Sequence, residues 1–176
     1  MLKHLVKPEL TVPAHIDFLD QLRDFVTRIG KIHGYSNKLI NAFKLAVDEA
    51  ATNIIRYAYP KKDGFITIRA LVKADSLTLC FIDQGIHFNP NSVKNPDLNH
   101  YVDTGKKGGL GIFIIRRVMD EIEYRKVPEG NELRITKYCD SSYKRNFICA
   151  ISTLTSSLRP KYFFRMIFFL RILHLS

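Results

Sequence analysis

Apolar residues recur every three or four positions in three stretches of the chain, which predicts three amphipathic helices. The first covers about residues 15–32, and the second runs from an N-cap at Ser36 or Asn37 to about Tyr59. The third opens at a glycine-rich segment and continues over residues 112–122. The expected core-facing residues are Ala42, Leu45, Ala46, Ala50 and Ile54 in the second helix and Ile114, Ile115, Val118, Met119 and Ile122 in the third.

Runs rich in β-branched and aromatic residues predict five strands, four of which pair into two hairpins across short polar turns. The order β-α-α-β-β-loop-α-β-β predicts the α+β class. We expect a two-layer α/β sandwich with a mixed, mostly antiparallel sheet and helices on one face. The pattern ends near residue 138, so we expect a domain over residues 1–138 and a tail over 139–176. The expected strands are 2–12, 65–73, 77–82, 123–127 and 132–138.

The charge of the chain changes this picture little. The net charge is +10, but the tail from Cys139 onward holds six basic residues and one acidic residue, so half of the excess lies outside the expected domain. The domain shows no basic stripe along one element, which argues against direct nucleic-acid binding. The three cysteines have no zinc-like spacing, and no apolar stretch at the N-terminus fits a signal peptide. Reduced thiols and a cytoplasmic location fit best.

Two polar residues interrupt the apolar pattern of the second helix. Glu49 and Asn53 lie four residues apart, so they share one helix face, one turn above the other. A carboxylate beside an amide can take a proton and hold a metal ion. Such a pair alone is most often a solvated helix face, so its meaning depends on the rest of the chain.

Two further motifs follow. Asp83-x-Gly85 ends a predicted strand, and Gly105-x-x-Gly108-Gly109-Leu110-Gly111 opens the third helix. Each has an ordinary interpretation, as a turn and as a helix cap. The glycine segment matches neither the dinucleotide fingerprint nor the P-loop.

Together the three motifs can form a nucleotide site. Asp83 can accept the exocyclic amine of adenine, and Gly85 leaves room for the ring. The glycines let phosphate oxygens approach the backbone amides of a helix N-terminus, where Lys106 and Lys107 add positive charge. Asn53 offers an oxygen to Mg²⁺, and Glu49 is placed to act as a general base. Residues 86–107, long and aperiodic, are then a lid.

This combination resembles the GHKL ATPases, whose Bergerat ATP-binding fold is shared by gyrase, Hsp90, MutL and histidine kinases. Glu49 with Asn53 resembles the N box, Asp83-Gln84-Gly85 the adenine box, and the segment 105–111 the second glycine box. Within the family, LAVDEAATNIIRYAY, DQGIHFNP and GGLGIFIIRRVMDEIEY resemble the RsbW-like anti-sigma factor serine kinases. His87 departs from the pattern, because the broader family often has a glycine there.

The resemblance implies a protein that binds ATP and Mg²⁺ and phosphorylates a serine on a small antagonist protein. It also implies sequestration of a sigma factor and a homodimer. Glu49 is the implied catalytic base and Asn53 the implied metal ligand. The implied nucleotide-binding residues are Asn53, Asp83, Gly85, Gly105, Lys107, Gly108, Gly109, Leu110 and Gly111. Two alternatives stay open: a nucleotide-gated binding module without catalysis, and an α+β interaction domain that binds no nucleotide.

The last part of the tail, residues 159–176, is apolar but interrupted by Lys161, Arg165 and Arg171. Its apolar part is shorter than the roughly 20 residues of a spanning helix, and the three charges do not share one helix face. We favour a packed helix or an interfacial one with weak membrane contact. A partner-docking helix and a non-native or interrupted ending are the alternatives.

Overall fold

The computed structural model describes residues 7–60, 63–73, 75–87 and 110–139. These residues contain one five-stranded sheet with the strand order β1-β2-β3-β5-β4. Every neighbouring pair is antiparallel, and β2–β3 and β4–β5 are the two predicted hairpins. The predicted α+β class is confirmed. The strands are β1 (Glu9–Pro13), β2 (Phe65–Val72), β3 (Ser76–Asp83), β4 (Glu121–Val127) and β5 (Gly130–Tyr138).

The described helices follow the predicted order. A 3₁₀ turn (Ile16–Phe18) leads into α1 (Leu19–Ile32), and α2 (Asn37–Asn53) begins at Ser36, whose side chain accepts a hydrogen bond from the Leu39 amide. α2 continues into a π-helical segment (Ile54–Ala58), and the last helix is α3 (Gly111–Val118). π-Helical turns are rare and are frequently found at functional sites. Here it follows Asn53 directly.

The helices pack on one face of the sheet. Alternate residues of the central strands point to this face and are buried, as the pleat requires. They meet the apolar sides of α1 and α2, and α3 packs along α2. The core therefore lies between one sheet and one helical layer. Its strand contributions include Ile66, Ile68, Leu79, Phe81, Leu133 and Ile135, and its helix contributions include Leu22, Val26, Phe43, Val47 and Ile115.

The predicted end of the third helix is wrong. The third helix ends at Val118 rather than near residue 122, because Met119 adopts an extended backbone and the Asp120 amide donates to the Thr136 carbonyl at the start of the β4–β5 ladder. Ile122 therefore lies on β4, paired with Ile135. Apolar spacing misses this change because strand and helix patterns overlap over a few residues. In the same helix Ile112 is buried, whereas Ile114 and Val118 are only half-buried.

Leu45 is not part of the core. Its surface is 42% exposed, although its helical spacing predicted burial. It lies one turn before Glu49 on the same side of α2, where its side chain is left open to solvent. The first strand is also shorter than expected, because it begins at Glu9, and residues 1–6 lie outside the described part of the chain.

Candidate nucleotide-binding site

The polar pair of α2 lies against the start of α3. The other side of α2 is held in the core by buried residues that include Phe43, Val47 and Ala50, which fixes the direction of Glu49 and Asn53. A methyl group placed on Gly111 would lie 2.9 Å from Glu49 Oε2 and 2.9 Å from Asn53 Nδ2. The fold therefore brings two of the three sequence motifs into contact.

The start of α3 is suited to an anion. Leu110 is its N-cap residue, and a leucine side chain cannot accept the hydrogen bonds that Ser36 provides for α2. Helix N-termini attract negative charge through their amide groups and the helix dipole. Phosphate oxygens placed here would lie beside Glu49 and Asn53. Gly105, Lys107, Gly108 and Gly109 of the predicted glycine box, and most of the predicted lid, lie outside the described residues.

The third motif ends β3 on the helix-covered face. Asp83 is only 5% exposed, and its Oδ1 accepts hydrogen bonds from the Gly85 amide (2.8 Å) and from Asn131 Nδ2 (3.1 Å). Its Oδ2 takes no hydrogen bond from any residue within the described ranges. This oxygen is the acceptor that an exocyclic amine would need.

The backbone after Asp83 is fastened to the end of α2. The Ile86 amide donates to the Ala58 carbonyl (2.9 Å), and the Gln84 amide donates to the Tyr59 hydroxyl (2.8 Å). Gly85 packs so closely that a methyl group there would lie 2.5 Å from the Ala58 carbonyl oxygen. The adenine-box residues are thus held at a set distance from Asn53 by the π-helical turn between them.

Asn53 and Asp83 line one small pocket. Its other walls are apolar, apart from the Tyr124 hydroxyl, and ligand sites typically combine such apolar walls with a few placed polar groups. The remaining lining residues are Ala50, Ile54, Ala58, Ile86, Ile112, Tyr124 and Leu133.

The environment of Glu49 favours a proton acceptor. Burial raises the pKa of Glu49 above its ordinary value, the nearby Asp48 carboxylate raises it further, and Arg56 lowers it. Asp48 itself is held by Arg23 of α1, at 2.7 Å between Arg23 Nη1 and Asp48 Oδ1. A carboxyl with a raised pKa binds a transferred proton more readily than an ordinary surface glutamate.

The residues present fit ATP with Mg²⁺. Within the described part of the chain, Asn53 Nδ2 is the buried side-chain nitrogen or oxygen without a hydrogen-bond partner. An unpaired buried amide is costly, so a ligand at this position would relieve it. If the side-chain amide of Asn53 rotates by half a turn, its oxygen takes the place of its nitrogen. Oxygen is the atom type that Mg²⁺ prefers as a ligand. Over the same residues, no three His, Cys, Asp or Glu side chains cluster as metal ligands. The ion would therefore depend on Asn53, phosphate oxygens and water.

Comparison with known proteins decides the family. Residues 12–137 match the histidine kinase-like ATPase domain. The chain belongs to this family. Within it the chain is similar to the serine-protein kinase RsbW of Bacillus cereus, at 31% identity over 160 residues, which cover 89% of this chain and 99% of the relative. The RsbW protein of Bacillus mycoides is 29% identical over the same shares of both chains.

Membership of the histidine kinase-like ATPase family agrees with the pocket between α2, α3 and the end of β3. Sequence reasoning missed several residues of this pocket and its frame, among them Tyr59, Ile112, Tyr124 and Asn131. Only the cross-strand register places Asn131 opposite Asp83, and no short-range pattern reports that register. No helix within the described residues combines the length and the apolar character needed to span a membrane.

Proposed function

We propose that this chain is an ATP-dependent serine/threonine-protein kinase that acts as an anti-sigma regulatory factor. It would phosphorylate a serine on a small antagonist protein, sequester a sigma factor and work as a homodimer. The observation that carries the proposal is the meeting of Glu49, Asn53 and Gly111 beside a pocket that also contains Asp83. The similarity to proteins named serine-protein kinase supports the same activity.

The site divides the work of phosphoryl transfer among these residues. Asp83 Oδ2 would accept the adenine amine while the apolar walls hold the ring. The N-terminus of α3 would hold phosphate oxygens, and Asn53 would bind Mg²⁺ through its amide oxygen. Bound Mg²⁺ supplies neutralisation of phosphate charge. Phosphoryl transfer depends mainly on such positioning and electrostatics.

Glu49 would take the proton from the acceptor hydroxyl. The serine oxygen forms a bond to the γ-phosphorus, the bond to the leaving oxygen of ADP breaks, and the proton passes to the Glu49 carboxylate. Gly111 supports this placement, because it lies against Glu49 and Asn53 together and so puts base and phosphate site side by side.

The direct test combines binding and transfer. With saturating ATP and Mg²⁺, at about 100 times Kd, the unfolding free energy should rise by about 2.7 kcal/mol. Labelled phosphate should pass from ATP to a candidate antagonist protein. Asn53→Ala should abolish the Mg²⁺-dependent part of the stabilisation. Binding without transfer to any acceptor would support a nucleotide-gated binding module, and absence of any ATP effect would support an interaction domain without a nucleotide.

A further inference from the structure

Asn131 is a buried polar residue that contacts Asp83 and Gly85 of the proposed nucleotide site. It lies near the start of β5 in direct register with Asp83 of β3, and it is 5% exposed. Its Nδ2 donates to Asp83 Oδ1 and to the Gly85 carbonyl oxygen, at 3.1 Å each. Its Oδ1 lies 3.1 Å from Nδ1 of His87. One side chain thus contacts both ends of the Asp83-Gln84-Gly85 turn and His87, two residues further along the chain.

The partners determine the orientation of this amide. A carboxylate and a carbonyl oxygen only accept hydrogen bonds, so the NH₂ group of Asn131 must face Asp83 and Gly85. Its oxygen then faces His87, and this contact is a hydrogen bond in the tautomer whose Nδ1 carries the proton. The His87 ring also lies 5.1 Å from the Tyr124 ring, centroid to centroid, and Tyr124 lines the pocket. With the proton on Nδ1, His87 reinforces the orientation of the amide that Asp83 and Gly85 require.

The consequence concerns the carboxylate of Asp83. Two N–H donors, from Gly85 and Asn131, engage Oδ1 and stop the carboxylate from rotating. The other oxygen, Oδ2, accepts no hydrogen bond from the described residues and can accept one from a ligand. Hydrogen bonds to a charged group are among the stronger ones, because the full charge takes part.

We infer that Asn131 is a positioning residue for base selection, oriented by His87, and that it makes the site prefer a purine with an amine at position 6 over one with a carbonyl there. The inference rests on the proposed ATP-binding function and names the residues that set its base specificity. A carboxylate oxygen held in place attracts an amine and repels a carbonyl oxygen at the same position. A carboxylate free to turn discriminates less.

The test compares ATP with inosine triphosphate, which carries a carbonyl oxygen in place of the amine at position 6 and a proton on the neighbouring N1. The unmodified chain should bind ATP more tightly than inosine triphosphate. Asn131→Leu should weaken ATP binding roughly ten- to hundredfold, as for loss of a hydrogen bond to a charged group, and should weaken inosine triphosphate binding much less. The KM for ATP in the transfer assay should rise while kcat changes little, because Glu49 is untouched.

Thr136→Val is the matched control. The substitution removes a hydrogen bond of 2.8 Å between the side chains of Thr136 and Thr78. Thr136 lies on the same strand as Asn131 but on the sheet face away from the pocket, so both nucleotide affinities should be unchanged. His87→Ala is the second variant. Its side chain is exposed, so the fold should survive, and ATP binding should weaken about two- to tenfold, as for one neutral hydrogen bond.

The outcomes separate two kinds of failure. If the unmodified chain binds neither nucleotide, the proposed function fails, and the inference fails with it. If the chain binds ATP but Asn131→Leu keeps the same affinity and the same preference over inosine triphosphate, the inference alone is overturned. If Asn131→Leu does not fold, His87→Ala decides, and an unchanged preference in that variant overturns the inference.

Discussion

Glu49 and Asn53 share one helix face but have different surroundings. The amide nitrogen of Asn53 is buried without a hydrogen-bond partner, so a bound ligand would stabilise this side chain. Glu49 is partly buried, and its charged neighbours are Asp48 and Arg56. Burial and Asp48 raise its pKa, Arg56 lowers it, and the net rise makes Glu49 a better proton acceptor. Under the proposed function, metal binding would rest on Asn53 and proton transfer on Glu49.

Glu49→Gln is expected to retain ATP binding and lose transfer. Glutamine keeps the size of the side chain but cannot take the proton, and removing a general base typically costs about 10²- to 10⁴-fold in rate. The measurement is labelled-phosphate transfer, with ATP-dependent thermal stabilisation as the check on binding. Glu123→Gln, an exposed substitution on β4, is the matched control and should transfer normally. Normal transfer by the Glu49 variant would exclude this residue as the base.

The pH profile of transfer gives a second test of Glu49. The base acts only when it is deprotonated, so the rate should fall as the pH drops through the folded pKa of Glu49. Burial places that pKa above the ordinary glutamate value. Arg56 lowers the pKa of Glu49, so Arg56→Gln should shift the acid limb to higher pH. Asp48→Asn should shift the limb to lower pH. A limb that moves in neither variant would contradict the assignment.

At the scale of elements, the site is a junction of three ends. The end of α2, the start of α3 and the end of β3 meet there, and each brings one motif. The π-helical segment Ile54–Ala58 joins two of them, because its last carbonyl, on Ala58, binds the Ile86 amide after the adenine box. The Tyr59 hydroxyl adds a second link through the Gln84 amide.

Gly111→Ala should separate stability from ligand binding. Alanine is a better helix former than glycine, and the atoms that its methyl group would meet are the ends of two side chains, so α3 should be no less stable. The added methyl group would lie 2.9 Å from atoms of Glu49 and Asn53, which must move from the phosphate site. We expect an unchanged or raised melting temperature without ATP and a strong loss of stabilisation by ATP with Mg²⁺. A variant that melts normally and binds ATP normally would show that this space is not used.

At the scale of the whole molecule, the sheet carries a second charged cluster on the face away from the helices. The Glu132 side chain is 4% exposed and accepts hydrogen bonds from Arg125 (2.9 Å) and Arg134 (2.8 Å). Burial alone would raise the pKa of Glu132, but the hydrogen bonds from Arg134 and Arg125 outweigh it and lower that pKa. This cluster ties β4 to β5 at the residue that follows Asn131.

Glu132→Gln should destabilise the fold at neutral pH by about 2 kcal/mol. This is below the 3–5 kcal/mol typical of fully buried pairs, because Arg125 is about half exposed to solvent. A lowered folded pKa stabilises above the unfolded value, about 4.3, and the contribution is lost as the pH falls through the folded value. Urea unfolding at pH 7 and pH 3 should show the difference from the unmodified chain shrinking in acid. An equal difference at both values would contradict this origin.

How well the sequence predicts each structural feature depends on how far apart along the chain the interacting residues lie. Helical spacing correctly predicted α1 and α2, and β-branched runs predicted the two hairpins, because both signals come from near neighbours. The end of α3 was wrong because the ladder bond between Asp120 and Thr136 comes from a distant strand. The predicted burial of Leu45 was wrong, because spacing assigns a residue to a helix face but does not say what covers that face.

The sequence by itself determined that Glu49 and Asn53 share a helix face, that Asp83-x-Gly85 ends a strand and that Gly111 opens a helix. These are properties of a few consecutive residues, set by backbone periodicity and glycine chemistry. Only the tertiary structure decided that Gly111 contacts the polar pair and that Asn131 lies opposite Asp83. Those contacts depend on strand register and helix packing over the whole core. The residue types were therefore readable in advance, whereas their convergence into one site required the fold.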